Sequence, residues 1–184
     1  IVAPHLARFS AGQQAGLLRS VARLGETAKN RELDAVRNVL RAYIQKHEPT
    51  ASPTDPYSEA IQTLGHVADE NSIGVLVREL GNRPEGRRFL TAPISALRSA
   101  ARRVNAQSQN MIQNALIDEL INASATRDPS GQSRMYYLSI SRALHEMKPS
   151  GEVRKRLTRV KGKIPPWIRT RLREYNLLSG NGEN

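Results

Sequence analysis

The sequence has no cysteine and few aromatic residues, and each shortage excludes a class of structure. Without cysteine there is no disulfide framework, no thiolate zinc site and no cysteine nucleophile. One Trp, five Tyr and two Phe are too few to dominate a core, so the packing must come from Leu, Ile, Val and Ala. No apolar run reaches the length of a transmembrane helix. We therefore expect no membrane span.

The chain begins with Ile1, and no basic segment followed by an apolar one opens it. We therefore expect a processed or excised part of a longer protein. Its 184 residues fit one domain, which we place at 1–184. The composition suits any compartment, with the cytoplasm favoured, and it leaves the oligomeric state open.

Acidic residues are scarce in the second half of the chain. Residues 1–80 contain nine Lys/Arg and nine Asp/Glu, whereas residues 81–184 contain nineteen and eight. The excess of eleven cations in the second part equals the net charge of the whole chain, +11. This asymmetry indicates that the C-terminal half contacts an acidic partner.

The apolar residues that are present follow a helical spacing, most clearly between residues 60 and 80. They form two short stripes separated by a polar turn, which predicts a pair of helices. Gly65 leaves room for a neighbouring helix, and Asn71 or Ser72 is expected to cap the second helix. The stripe positions are Ile61, Leu64, Val67, Ile73, Leu76, Val77 and Leu80.

Apolar positions recur at a spacing of 40 residues along the chain. Because two short helices cannot bury a shared stripe alone, such a recurrence predicts stacked copies of a helix pair. The four columns are Leu24, Leu64, Val104 and Leu144; Val21, Ile61 and Ala101; Val36, Leu76 and Leu116; and Leu40, Leu80, Leu120 and Val160.

The fold predicted from this pattern is all-α. It is a right-handed α-solenoid, or superhelix, of about four helix pairs with a 40-residue period, closed by a C-terminal capping helix. The predicted repeats cover about 10–46, 57–81, 94–121 and 134–161, and the capping helix covers 165–178.

Local signals place the first helix and the interruptions. Ser10 is the predicted N-cap of a helix over 11–24, whose residues Leu17, Val21 and Leu24 are predicted to face inward. Three prolines between 46 and 56 predict a loop, because a proline ring blocks helix continuation. The other predicted loops and turns are 26–30, 81–93, 106–109, 122–133 and 149–151.

The second helix pair resembles the HEAT-repeat family. The residues that carry the resemblance are Leu64, Gly65, the turn residue Asp69, and the series Ile73, Leu76 and Leu80. The resemblance implies a curved superhelix whose second helices line the concave side. It also implies a binding role more often than catalysis.

A dense basic tract near the C-terminus is the first candidate site. Its cations would contact phosphates or carboxylates and release counterions, or they would form the polar outer face of a capping unit. The only acidic residues between 152 and 174 are Glu152 and Glu174. The basic residues are Arg154, Lys155, Arg156, Arg159, Lys161, Lys163, Arg169, Arg171 and Arg173.

Two pairs of arginines are the second candidate. Arg102 and Arg142 share one repeat position, and Arg87 and Arg127 share another. Stacked repeats would align each pair in a basic ridge. Alternatively, they are surface arginines whose aliphatic stems cover apolar area.

Aromatic residues interleave with the basic tract. Ile168, Leu172 and Tyr175 form one stripe, and Trp167 borders it. Trp167 and Tyr175 are predicted to cover the last repeat as part of the cap. The alternatives are a binding hot spot or, for one of these aromatics, stacking on a nucleic-acid base.

A carboxylate within a basic groove, such as Asp118 beside Glu119, is the third candidate. One family of alkylpurine DNA glycosylases on HEAT-like repeats uses such a group, but that chemistry requires an aromatic-lined groove nearby. Pairing of Asp118 with a neighbouring arginine is the preferred interpretation. We therefore predict no catalytic residue.

No pattern indicates a metal or a cofactor. His47-Glu48 and His145-Glu146 lack the second histidine of a zincin motif. The Gly180-Asn181-Gly182 segment neither follows a strand nor opens a helix, and no serine occupies a nucleophile elbow. We predict no metal and no cofactor.

These observations favour a non-enzymatic HEAT-like binding or scaffold module, part of a larger protein or assembly. Its basic C-terminal half would engage an acidic partner, most simply a protein. The alternative is a nucleic-acid backbone bound without sequence preference, and a DNA-repair glycosylase is a distant third.

Overall fold

The computed structural model describes residues 9–25, 33–48, 56–81, 91–123 and 131–178. All regular secondary structure in these ranges is helical, which confirms the all-α prediction. No helix in them is both long and apolar enough to cross a bilayer. The α-helices are α1 (Ala11–Gly25), α2 (Asp34–Lys46), α3 (Pro56–Val67), α4 (Glu70–Gly81), α5 (Ala92–Ala100), α6 (Ala106–Asn122), α7 (Gly131–Glu146), α8 (Gly151–Val160) and α9 (Pro166–Glu174), and a 3₁₀ turn, Lys161–Lys163, follows α8.

The helices pack in two rows. In the first row α1, α3, α5, α7 and α9 each contact the next, and in the second row α2, α4, α6 and α8 do the same. The rows contact each other through α2 and α3, α3 and α4, α4 and α5, and α6 and α7. Each interior helix is therefore covered on two sides by helices of its own row.

Apart from Val21, the members of the predicted apolar columns whose side chains are described lie in one continuous cluster or pack against it. Leu64, Val104 and Leu144 are buried, and the side chain of Leu24 lies outside the described part. Helices α2, α4 and α6 begin at 34, 70 and 106, whereas α8 begins at 151, so the starts are unevenly spaced. The half-buried column members all lie on helices near the ends of the rows, where fewer helices cover them: Val21, Val36 and Val160.

Gly65 lies where α3 crosses α5. A Cβ atom at this position would lie 2.5 Å from both the Cα and the carbonyl oxygen of Ala96. The two backbones approach too closely for any side chain, which confirms the predicted role of this glycine.

Two helix starts show how polar side chains set the boundaries. At α1 the predicted N-cap Ser10 is confirmed, because its Oγ accepts the N–H of Gln13 at 3.4 Å while Gln13 Oε1 accepts the N–H of Ser10 at 3.0 Å. At α4 the prediction of Asn71 or Ser72 is wrong. Asp69 precedes the helix, and its Oδ1 accepts the N–H of Ser72 at 2.9 Å.

The predicted turn at 106–109 is also wrong. Helix α5 ends at Ala100, the chain turns over 101–105, and α6 begins at Ala106. The side chain of Asn105 accepts the N–H of Ser108 at 2.9 Å and caps α6. A strong N-cap therefore outweighs the polar composition of the first helical turn.

The predicted loops are too long at their C-terminal ends. Helices begin at Pro56 and Ala92, so Pro56 and Pro93 lie in first turns. Proline is tolerated there because the missing N–H has no partner within the helix. Helix α7 likewise begins at Gly131, inside the predicted loop 122–133.

The capping helix is shorter than predicted. Helix α9 ends at Glu174, and Asn176 adopts a left-handed conformation with φ of 54°. The N–H groups of Asn176 and Leu177 return to the carbonyls of Arg173 and Leu172, each at 2.8 Å. This Schellman closure ends the helix.

The inward face of α1 differs from the prediction. Ala15 and Leu18 are the buried residues, and Leu17 and Val21 are half-buried. Helix α1 stands at the end of its row and packs mainly on α3, so only a narrow strip is covered.

Candidate functional site

Helix α8 separates an apolar face from a basic one. Val153 and Leu157, one turn apart, are buried, which leaves Lys155 and Arg159 on the solvent side. Ser150 fixes the start of the helix, because its hydroxyl accepts the N–H of Val153 at 3.4 Å.

Arg156 faces α6, the neighbouring helix of its row. Its Nη1 donates to the carbonyl oxygen and to Oδ1 of Asn114, both at 2.9 Å. Its Nη2 lies 2.5 Å from Oδ1 of Asp118. Arg156 therefore serves to hold α8 against α6.

Arg154 is also engaged within the protein. Its Nη1 donates to the carbonyl oxygen of Asn176 at 2.7 Å, and its Nε donates to that of Pro149 at 3.3 Å. This side chain joins the start of α8 to the turn that ends α9.

The arginines of α9 have mixed roles. Arg171 pairs with Glu174 at 2.5 Å and lies over the ring of Tyr175 at 5.7 Å. Arg169 is half-buried, and its Nε is buried without a hydrogen-bond partner in the described part. Arg173 is half-buried and makes no ion pair with the described residues.

The remaining cations of the basic tract form a distinct surface, here called the free basic ridge. Its four members are exposed and make no side-chain hydrogen bond or ion pair with any described residue. They are Lys155, Arg159, Lys161 and Lys163. These exposed cations differ from Arg154, Arg156 and Arg171, whose side chains are held by contacts within the protein.

The aromatic residues near the tract pack against the protein. Trp167 is half-buried, and its ring meets that of Tyr137 edge-on at 6.2 Å. Tyr175 stacks on His145 with the ring centroids 4.7 Å apart. Both border the apolar cluster beside Ile168. Their positions fit the predicted cap.

Of the arginine pairs, only Arg102 and Arg142 lie in the described part of the chain, and their local structures differ. Arg102 is exposed in the turn after α5, whereas Arg142 lies within α7 and bonds Glu146 at 2.8 Å. That hydrogen bond lowers the pKa of Glu146 from its ordinary value, and the charge of Arg98 adds to the effect against the opposing influence of burial. Arg87 and Arg127 lie outside the described residues.

The two adjacent carboxylates of α6 have different surroundings. Asp118 is 56% exposed and paired with Arg156, which confirms the predicted arginine pairing. Glu119 is buried and accepts from the hydroxyl of Tyr136 at 3.3 Å. In the part of the chain that the structure describes, no group of three or more His, Asp and Glu could hold a metal ion.

Sequence reasoning missed the buried polar links between helices. Arg37 is buried and donates from Nε to the carbonyl oxygen of Val67 at 2.6 Å, at the last residue of α3. Tyr57 donates to the buried carboxylate of Glu79. The only sequence signal is a charged residue in a position expected to be buried, such as Arg37 between Leu33 and Leu40.

Comparison with family models, with curated proteins and with solved structures finds no match to this chain.

Proposed function

We propose that this chain is a non-enzymatic, HEAT-like helical-repeat module that binds an acidic partner through its basic C-terminal half. It would act as a binding or scaffold element within a larger protein or assembly. The observation that carries the proposal is the free basic ridge, whose four cations have no partner among the described residues.

The packing of the helices supports a solenoid arrangement. Two continuous rows are what stacked helix pairs would produce, and within the proposed pairs α3 and α4 contact each other directly. Helix α9 then covers α7 at the C-terminal end, with Ile168 and Leu172 buried. The uneven helix starts arise because the helices differ in length: α4 and α5 contain 12 and 9 residues, whereas α6 and α7 contain 17 and 16.

The structural arginines support a binding role for the ridge. Arg154 and Arg156 fix α8 on two sides, through the turn after α9 and through α6. Two of the ridge cations, Lys155 and Arg159, therefore lie on a helix that is fixed before any partner arrives, and Lys161 and Lys163 follow directly in the 3₁₀ turn. Preorganisation of this kind reduces the entropy lost on binding.

No catalytic role is proposed. The carboxylate of Asp118 is occupied by Arg156, and the aromatic residues of the tract pack elsewhere. A reaction would require a nucleophile or base together with a group that orients it.

Binding of acidic polymers tests the proposal. Lys155, Arg159, Lys161 and Lys163 are changed together to Gln, and binding to poly-L-glutamate and to a DNA duplex is measured by fluorescence anisotropy at 50 mM NaCl. We expect the unchanged protein to bind at least one polymer, and the variant to bind it at least ~10-fold more weakly because its counterion-releasing contacts are lost.

The matched control removes the same charge from the other half of the chain. Arg19, Arg23, Lys46 and Arg78 are exposed and lie on α1, α2 and α4. Changing these four to Gln keeps the net charge equal to that of the ridge variant and should leave binding nearly unchanged. Equal loss in both variants, or no binding by the unchanged protein, would refute the proposal.

A further inference from the structure

The chemistry around the free basic ridge narrows the class of acidic partner. We infer that the partner is the phosphate backbone of a nucleic-acid duplex, contacted by Lys155, Arg159, Lys161 and Lys163 without base recognition. This inference rests on the proposed function and adds to it the identity of the partner class.

The spacing of the cations suits a repeating line of charge. Lys155 and Arg159 are four residues apart on α8, which places them about 6 Å apart along the helix axis. The 3₁₀ turn carries Lys161 and Lys163 onward from the end of the helix. No acidic residue lies between 153 and 163. The ridge therefore carries four cations within nine residues without an intervening carboxylate, and a duplex presents a continuous line of negative charge.

The ridge lacks the features of a protein-binding surface. Stable protein interfaces depend on apolar or aromatic anchors near their centre, and they are depleted in lysine. The exposed large hydrophobic residues of the described chain are Phe9, Met111 and Met135, and none of them lies on α8 or in the 3₁₀ turn that carry the ridge. Three of the four ridge cations are lysines. An acidic protein segment would therefore meet positive charge on the ridge but no apolar or aromatic side chain to bind it.

The ridge also lacks the stacking platform that single strands require. Proteins that bind single strands combine basic grooves with exposed aromatic rings. Here the ring of Trp167 meets Tyr137, and that of Tyr175 covers His145. Both side chains pack against the apolar cluster.

Base recognition is disfavoured by the exposed face of α8. Apart from its cations, this face carries Glu152 and Thr158, without the Asn or Gln side chains that read adenine edges. The neighbouring Arg156 is already bonded to Asn114 and Asp118. Phosphate contacts position a protein on a duplex without reading its sequence, so binding should be independent of sequence.

The test compares five polyanions by fluorescence anisotropy between 50 and 200 mM NaCl. Two are 20-base-pair DNA duplexes of unrelated sequence, and the third is an RNA duplex of the same length. The others are a 40-nucleotide single strand and poly-L-glutamate, each matched to the DNA duplexes in total charge. The protein, its ridge variant with four Gln substitutions and the N-terminal control variant are measured with each.

We expect both DNA duplexes to bind equally within about twofold, and more tightly than poly-L-glutamate or the single strand. With four phosphate contacts, log K should fall with log salt at a slope near −3.6, or roughly 150-fold over this salt range. Each single ridge change to Gln should reduce the slope by about 0.9. Comparing the RNA duplex with the DNA duplexes shows which of the two nucleic acids supplies the preferred phosphate backbone.

Other outcomes separate this inference from the proposed function. Tighter binding of poly-L-glutamate, lost in the ridge variant, would overturn the duplex inference and leave the proposed function in place. Tighter binding of the single strand, or a tenfold difference between the two DNA sequences, would also overturn the inference. Absence of binding to all five polymers would overturn both.

Discussion

Arg156 Nη2 on α8 lies 2.5 Å from Asp118 Oδ1 on α6, and this pair joins neighbouring helices of one row. Within the same basic tract, Lys155 has no partner among the described residues. Two adjacent cations on one helix therefore differ in their surroundings: Arg156 joins α8 to α6, and Lys155 is exposed and unpaired among the described residues.

The first prediction compares these neighbours. Arg156→Met should lower the free energy of unfolding by about 1 kcal/mol, because it removes a partly exposed ion pair and the hydrogen bonds to Asn114. Lys155→Met should leave stability within about 0.5 kcal/mol. Urea denaturation measures both. The salt slope of duplex binding should fall for Lys155→Met alone, and an equal fall for Arg156→Met would contradict the division of roles.

The second prediction concerns the contact between α3 and α5. Gly65→Ala should destabilise the protein by about 3 kcal/mol, because the added methyl group would meet the backbone of Ala96 at 2.5 Å. Gly74→Ala is the control within α4, where an added Cβ has no atom within 4 Å. That change should stabilise by about 0.5–1 kcal/mol through helix propensity. Thermal and urea denaturation compare the variants, and equal effects would show that the close approach is absent.

The third prediction concerns acid sensitivity at Asp69. Burial raises the pKa of this carboxyl, but the hydrogen bonds from Ser72 and the charges of Arg41 and Arg37 outweigh it, so the net pKa lies below its ordinary value of 3.8. A carboxyl whose folded pKa is depressed stabilises the fold above its unfolded pKa and loses that contribution as pH falls through the folded value. Asp69→Asn keeps a capping side chain but removes the charge.

The stability difference between the wild-type protein and Asp69→Asn should therefore be full at pH 7 and shrink below about pH 4. Urea denaturation between pH 7 and pH 3 measures it. Ser10→Ala is the control, because it removes a capping group that does not titrate. Its stability difference should stay nearly constant, and a constant difference for Asp69→Asn would contradict the linkage.

The fourth prediction tests whether Trp167 covers the last helix pair as part of the cap or serves as a binding hot spot. Trp167→Ala should destabilise by about 2–3 kcal/mol, because it removes a half-buried ring from the contact with Tyr137 on α7. The salt slope of duplex binding should remain unchanged. Circular dichroism during heating measures the first effect, and anisotropy measures the second. Weaker duplex binding in a variant that is still fully folded would instead assign the ring to the partner.

Helix type and burial were largely predictable because they depend on local spacing. Ile61 and Leu64 are buried as their helical period requires, and Ser10 caps α1 through a residue only three positions away. The predicted helix boundaries were wrong where two local sequence signals favoured different structures. At α6 the cap at Asn105 outweighs the polar stretch that follows it, and at α3 Pro56 lies in the first helical turn although a proline also favours a loop.

The sequence by itself determined an all-helical chain, the apolar positions that fill its core and the concentration of positive charge toward its C-terminus. These follow from residue type and short-range periodicity. Only the tertiary structure decided which cations are structural, since Arg156 meets Asp118 from 38 residues away and Arg154 meets Asn176 from 22. Pairing between residues so far apart in the chain depends on how the helices pack. Cations at neighbouring positions can therefore differ, one being paired within the protein and the next being exposed.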